Sequence, residues 1–449
     1  MNQQRRAPGG VLASAALLGA GLLWAAAARP QELPEKPTDL GFGSVLERQE
    51  LLAAVLERNP GVAAARQAWE AARARIPQAE SLEDPMASYA LAPLSVAGDA
   101  RFGDQLRVGQ RLPFPGTLRL RGEVAAAEAA AAGQRVEEVR LRLATMASLL
   151  FDDYYLVARA LEVNAEHLRL LEDVQSVAVS RYGAGLAPQQ APIQAEVEAA
   201  HLLHRQVVLE TDRRTLVAQL NALLHREPRA PLPAPPRELS VPPAPAPEAI
   251  AATILAARPE LQAQRAEIEA RRAAVELKQL GLNPDFEVMT SYNSMWGMEE
   301  HRLMVGVGVN LPIWRKRIRA GVAEAEARLG SAESELARLE DEVQAEAEVA
   351  LQNLHEALHV VSLYRNRVLP AARDQIAAAR AGFETGANTM VSLIDAERSL
   401  RTAELNYYQA FADANTRRAE LDRALGRLPF AAAEPEAASP TATEETEMN

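Results

Sequence analysis

Apolar residues recur along this chain at two spacings, every three to four residues over long stretches and every second residue over short ones. After Ser44, a helix-capping residue, Val45, Leu52, Val55 and Leu56 share one helical face, which predicts a helix from 44 to about 80. Asp84-Pro85 ends it. Residues 86–96 alternate weakly, and then Leu106, Val108, Gln110 and Leu112 share one face of a predicted strand that stops at Pro113-Phe114-Pro115-Gly116. A proline-free helical pattern follows from about Thr117 to Arg181, about 100 Å at 1.5 Å per residue. Gly183-Ala184-Gly185 breaks it, and a further helix is expected over 189–224. The helices at 44–80 and 189–224, laid end to end, match the long one between them. They are therefore expected to lie antiparallel along it, as a coiled-coil slab rather than a globule.

The same plan is then written again about 200 residues later, a unit far longer than a solenoid repeat. Asn59-Pro60 recurs as Arg258-Pro259, and Leu112-Pro113-Phe114 as Leu311-Pro312-Ile313. Tyr182-Gly183-Ala184-Gly185 recurs as Phe383-Glu384-Thr385-Gly386, and Ile193-Gln194-Ala195-Glu196 as Ile394-Asp395-Ala396-Glu397. The repeats are read as 44–228 and 248–427, joined by a Pro-rich extended linker at 229–247. In the second copy the strand pair is plain. Phe286, Val288, Thr290 and Tyr292 alternate with Asp285, Glu287, Met289 and Ser291. On the returning strand Leu303, Val305, Val307, Val309 and Leu311 face one way, and Met304, Gly306, Gly308 and Asn310 the other. Apolar on one side and small or polar on the other suits a strand between lipid and a lumen, although a half-buried sheet shows the same alternation.

Composition narrows the class. A net charge of −12 argues against nucleic acid as a partner. Ala, Leu, Glu and Arg dominate and aromatics make up 4%, as long helices with small contacts require. Residues 1–28 read as an export signal: Arg5 and Arg6, an apolar run from Val11 to Trp24, and a small-residue site at Ala26-Ala27-Ala28. Cysteine is absent, which removes disulfides and cysteine-borne lipid anchors. No later stretch reads as a membrane-spanning helix, and 428–449 reads as a disordered acidic tail. An exported chain can still enter a membrane as strands. Two pairs give four strands, too few to close a barrel. Two copies would give eight strands with a filled interior, so three copies, with twelve, form the smallest assembly that could conduct.

This arrangement resembles the TolC-like outer-membrane efflux channel family over about residues 44–427. The resemblance is carried by Arg181-Tyr182-Gly183-Ala184-Gly185 with Ile193-Gln194-Ala195-Glu196, and by Ala381-Gly382-Phe383-Glu384-Thr385-Gly386 with Leu393-Ile394-Asp395-Ala396-Glu397. The phrase Gln110-Arg111-Leu112-Pro113-Phe114-Pro115-Gly116 resembles the heavy-metal, CusC and CzcC-type branch. The family implies a mainly α fold with a small β part, a homotrimer with a twelve-stranded outer-membrane β-barrel, and an α-helical periplasmic tunnel. It implies as partners outer-membrane lipid, a periplasmic adaptor (membrane fusion protein) and an inner-membrane pump of RND type. The cargo could include metal cations, and no enzyme activity or cofactor is implied. The hairpin tips, marked by Gly183, Gly185 and Gly386, would form the gate. At the second tip family members use a Tyr, an Arg and two Asp residues. Here Phe383 stands at the Tyr, Asn388 at the Arg, Ser392 at the first Asp, and only Asp395 matches. Tyr182 and Gln194 occupy the first tip, where Ala191-Pro192 replaces an expected acid, so closure is expected to rest on packing. Three copies of Asp395 would form a carboxylate ring that filters cations. The alternative role for Asp395 is an acid complementing a helix N-terminus.

Two rival readings stand beside the channel. His355-Glu356-Ala357-Leu358-His359 fits the zinc-hydrolase motif H-E-x-x-H, with Glu384 as a third ligand by spacing. Leu354, Leu358 and Val361 place the same stretch on an ordinary helix face, however, and the first repeat has no counterpart. His201 and His204 read as helix-surface residues. The other reading is an exported coiled-coil tether, which has no use for the alternating strands.

Overall fold

Proline sets the first departure from the helical pattern. The structure, a computed structural model, describes residues 41–92, 103–245, 254–294 and 302–430. The expected signal at 1–28, the stretch 93–96, linker residues 246 and 247, and tail residues 431–449 lie outside the described residues. The stretch expected as one helix at 44–80 forms two, α1 (Arg48–Arg58) and α2 (Pro60–Glu80). Pro60 has no amide hydrogen and forces Asn59 into extended backbone (φ −65°, ψ 123°), so the ladder stops there. Asn59 then serves both neighbours. Its Oδ1 accepts from the Gly61 N–H at 2.8 Å, and its Nδ2 donates to the Leu223 carbonyl at 2.9 Å.

The first repeat continues as β1 (Met86–Ala92), β2 (Gly103–Leu112), the 67-residue α3 (Thr117–Gly183) and α4 (Gln190–Leu223). Both α2 and α4 pack on α3, and Asn59 marks where one gives way to the other. The second repeat runs α5 (Pro259–Leu280), β3 (Asp285–Asn293), β4 (Leu303–Asn310), α6 (Arg315–Leu363), α7 (Leu369–Thr385) and α8 (Met390–Ala424). One turn of π-helix, Tyr364–Val368, separates α6 from α7, so the second copy of the long helix is interrupted where the first is not. Pro370, in the first turn of α7, explains it: a proline ring clashes with the carbonyl four residues back, and the wider turn absorbs the misfit.

The duplication is visible in how the helices are tied. Arg258 takes the place of Asn59, extended before Pro259 (φ −72°, ψ 119°), and its Nη1 donates to the Ala424 carbonyl at 2.9 Å at the end of α8. The chain leaves α4 through positive φ at His225 (54°) and leaves α8 through positive φ at Gly426 (71°). Each repeat also has its own core at this level. Leu46, Leu51, Phe151 and Leu220 are fully buried in the first, and Leu261, Leu351, Leu354 and Leu421 in the second. Arg48 joins the two. Its guanidinium pairs with Asp152 at 2.5 Å, donates to Ser148 Oγ at 2.7 Å and to Asn415 Oδ1 at 3.3 Å, and lies against the rings of Phe151 and Phe430.

Candidate pore-forming sheet and hairpin tips

The four strands form one antiparallel sheet in the order β1-β2-β3-β4, so β2 and β3 join the repeats and β1 and β4 are its edges. Register sorts the side chains. Leu106 pairs with Tyr89 and Tyr292, and Tyr292 pairs with Leu303, which puts these four on one face. Val108, Thr290 and Val305 share it one step along, then Val288 with Val307 and Phe286 with Val309. These side chains are exposed in the single chain, Val305 to 72% and Val307 to 70%. On the other face the matching positions are Arg107, Ser291 and Met304, then Gly109, Met289 and Gly306, then Arg111, Glu287 and Gly308, and finally Asp285 and Asn310. One side is mainly apolar, interrupted by Gln110 and bordered by Asp104, and open to its surroundings. The other is small and polar.

Each strand runs on into a helix. The helices α2, α3, α5 and α6 lie side by side in the order of the strands they continue. Among the described residues no helix is long and apolar enough to cross a membrane. The apolar strand face is an extended exposed apolar surface.

At the far end of α3 the two tips come together. Gly185 (φ 70°) and Gly386 (φ 83°) make left-handed turns that an L side chain resists, which is why glycine punctuates both signatures. Thr389 caps α8, its Oγ1 accepting from the Ser392 N–H. Val174, Ala178, Ala191, Ala195, Phe383 and Met390 pack into one core shared by both hairpins. Phe383 is only 5% exposed and so faces its own hairpin pair. Arg181 lies over its ring at 5.4 Å and donates to the Glu384 carbonyl at 2.6 Å, a link between the tips. Asn388, Ser392 and Asp395 are exposed, Tyr182 is exposed and Gln194 half-buried. Asp395 is 62% exposed and lies 3.9 Å from Arg398.

Above the tips is a buried polar hub that sequence reasoning missed. His167 of α3, 3% exposed, contacts Glu397 through Nδ1 at 2.8 Å and Glu404 through Nε2 at 2.9 Å. Arg401 reaches Glu397 at 3.5 Å and Glu198 of α4 at 3.1 Å, and Arg398 also pairs with Glu198. Burial works against the His167 cation, but its hydrogen bonds to Glu397 and Glu404 prevail and raise its pKa to about 9. Burial likewise opposes the Glu198 carboxylate, and hydrogen bonds from Arg398 and Arg401 hold its pKa below the usual range. The signal lay in α3 itself. His167 and Asn164 interrupt a buried stripe of Ala160, Val163, Leu171, Val174 and Ala178. A charged residue there requires partners.

The zinc motif is not assembled. His355 and His359 are exposed near the C-terminal end of α6, Glu384 pairs with Arg380 at the tip, and no cluster able to hold a metal occurs among the described residues.

A two-faced sheet prolonged by paired helical hairpins is a plan that recurs among known proteins. Residues 251–427 match the family described as outer membrane efflux protein, so the second repeat carries that family's sequence pattern. Over most of the chain the fold is similar to that of several solved structures. CusC shares 18% identity at a TM-score of 0.74, over 89% of this chain and 98% of that one. VceC of Vibrio cholerae shares 19% at 0.72, over 85% and 96%, and the MtrE channel of Neisseria gonorrhoeae 17% at 0.68, over 88% and 95%. No curated protein matches by sequence. The fold is the one these solved proteins share.

Proposed function

We propose that three copies of this chain close into a twelve-stranded barrel in the outer membrane and continue as a helical tunnel in the periplasm. The assembly serves as the passive exit of a tripartite efflux system, fed by an inner-membrane pump of RND type through a periplasmic adaptor. The observation that carries this reading is the sheet. Among the described residues nothing covers its apolar face, and the edge strands β1 and β4 each have one side without a strand partner. Lipid answers the first and neighbouring copies the second. Twelve strands leave a lumen that the small and polar face would line.

The paired tips make the gate in this reading. Phe383 and its neighbours supply the packing that closes it, and exposed Asp395 supplies a charge ring at its mouth. The heavy-metal phrase has a local role that is independent of cargo. Gln110 Nε2 donates to the Glu83 carbonyl at 2.8 Å, the Phe114 N–H donates to Asp285 at 2.9 Å, and Gly116 (φ 93°) starts α3. Those residues build the strand-to-helix turn.

The test is the conductance of purified protein in planar bilayers. Discrete steps, with a shift toward chloride in Asp395→Ala, are expected. Absence of conductance in a protein that is freely soluble in the periplasm would favour the tether instead.

A further inference from the structure

Where the sheet meets the helices, a cleft of about 780 Å³ opens between the ends of α3, α5 and α6. Arg121, Lys278 and Arg317 line it, one from each helix, together with Asp285 and Asn310 of the polar strand face. None of the three cations forms an ion pair with a described residue, and the Asp285 carboxylate, which accepts from the Phe114 N–H at 2.9 Å, offsets only one of them.

The imbalance is local. A second cleft of about 710 Å³ on the same three helices sets Arg135, Arg271 and Arg328 against Glu138, Glu267 and Glu335. Its positions lie close to whole helical turns from the first: Arg121 to Arg135, Lys278 to Arg271 and Arg317 to Arg328. The two clefts therefore share one face of the helix layer. There Arg271 pairs with Glu267 and Arg328 with Glu324, both at 2.5 Å. On the strand face Arg111 stands opposite Glu287 and lies 3.8 Å from Glu83. Uncompensated positive charge on this face is thus concentrated at the junction. It is also placed against the first turn of α6, which has no acidic residue and whose helix dipole is positive there. Three cations against the single Asp285 carboxylate leave an excess of positive charge that a further anion would offset.

We infer that Arg121, Lys278 and Arg317 form an anion-binding collar at the junction of barrel and tunnel, which draws anionic solutes, those bearing phosphate, sulfonate or carboxylate groups, through the pore. The inference rests on the channel reading in one respect, that the polar strand face lines the pore. Free metal cations are a poor fit to such a collar.

The experiment compares the full chain with R121Q/K278Q/R317Q and with R315Q/K316Q/R319Q, an equal loss of charge outside the cleft. Reversal potentials are read across a KCl gradient in neutral phosphatidylcholine bilayers, so no lipid headgroup supplies an anion. The chloride-to-potassium permeability ratio is expected to fall about fivefold in the cleft variant and to stay at the wild-type value in the control. An unchanged ratio in the cleft variant, or an equal fall in both, overturns the collar. A second arm holds even if the wild type does not conduct, an outcome that counts against the channel itself. In detergent, inorganic phosphate should raise the melting temperature of the wild type and of R315Q/K316Q/R319Q but not of R121Q/K278Q/R317Q. The same rise in all three proteins would refute anion binding in the cleft.

Discussion

Replacing His167 with Leu should loosen the lower hairpins without unfolding the sheet. The imidazole is held by Glu397 and Glu404, and these carboxylates have few other partners, Arg401 at 3.5 Å and Arg373 at 3.9 Å. Glu397 is 2% exposed and its Oε2 already lacks a hydrogen-bond partner, so His167→Leu leaves a buried charge poorly compensated. The magnitude follows from linkage. A pKa raised from 6.5 to about 9 corresponds to about 3 kcal/mol in favour of the folded hub. Because the folded pKa is the higher one, that stability is fully present below about pH 6.5 and is lost as pH rises through about 9. Hydrogen exchange of α3 near residues 163–171 and of α8 near 394–404 provides the readout. Corrected for intrinsic rates, protection there should fall about a hundredfold in His167→Leu at pH 6.5. The wild type should lose a similar factor between pH 6.5 and 9.5, and the variant should show no such pH dependence. Equal protection in both proteins at pH 6.5, or a wild type indifferent to pH, would refute the assignment of His167 as a protonated hub.

Other perturbations separate the two faces and the ties. Val307→Lys, on the apolar face, should cost about 2–4 kcal/mol and deplete the protein from the outer membrane, whereas Met304→Lys, on the polar face, should leave the amount in fractionated membranes unchanged. Arg48→Ala abandons buried Asp152 and should destabilise the protein by about 3–5 kcal/mol in chemical denaturation, with Arg48→Lys recovering part of it. Gly386→Ala must adopt φ 83° and should cost about 1 kcal/mol, seen as faster proteolysis at the second tip.

What could be read from sequence alone was periodic. The alternation at 286–292 and 303–311 reported both the strands and their two faces, because side-chain direction in a strand follows position parity alone. The glycines of both tips gave the hairpin turns for the same local reason. The break at Asn59-Pro60 was legible in principle, since proline constrains the residue before it, yet a continuous apolar face on either side masked it. The π turn at Tyr364–Val368 has the same origin in Pro370. The His167 hub was not legible. Its partners lie on α4, α7 and α8, far along the chain, and only the packing of the two repeats brings them together. Phe383 illustrates the same limit: sequence placed it at the tip, and tertiary packing set which way it faces.

The central claim, that three copies close one barrel edge to edge, can be tested with disulfides because the chain has no cysteine of its own. Cysteines placed in pairs on the two edge strands, one at Ala87, Tyr89 or Leu91 and the other at Val305, Val307 or Val309, should cross-link between copies on oxidation in membranes. For at least one register the account predicts a denaturing-gel ladder that ends at three chains. A ladder ending at two, one running on without limit, or monomer alone for every register would contradict it.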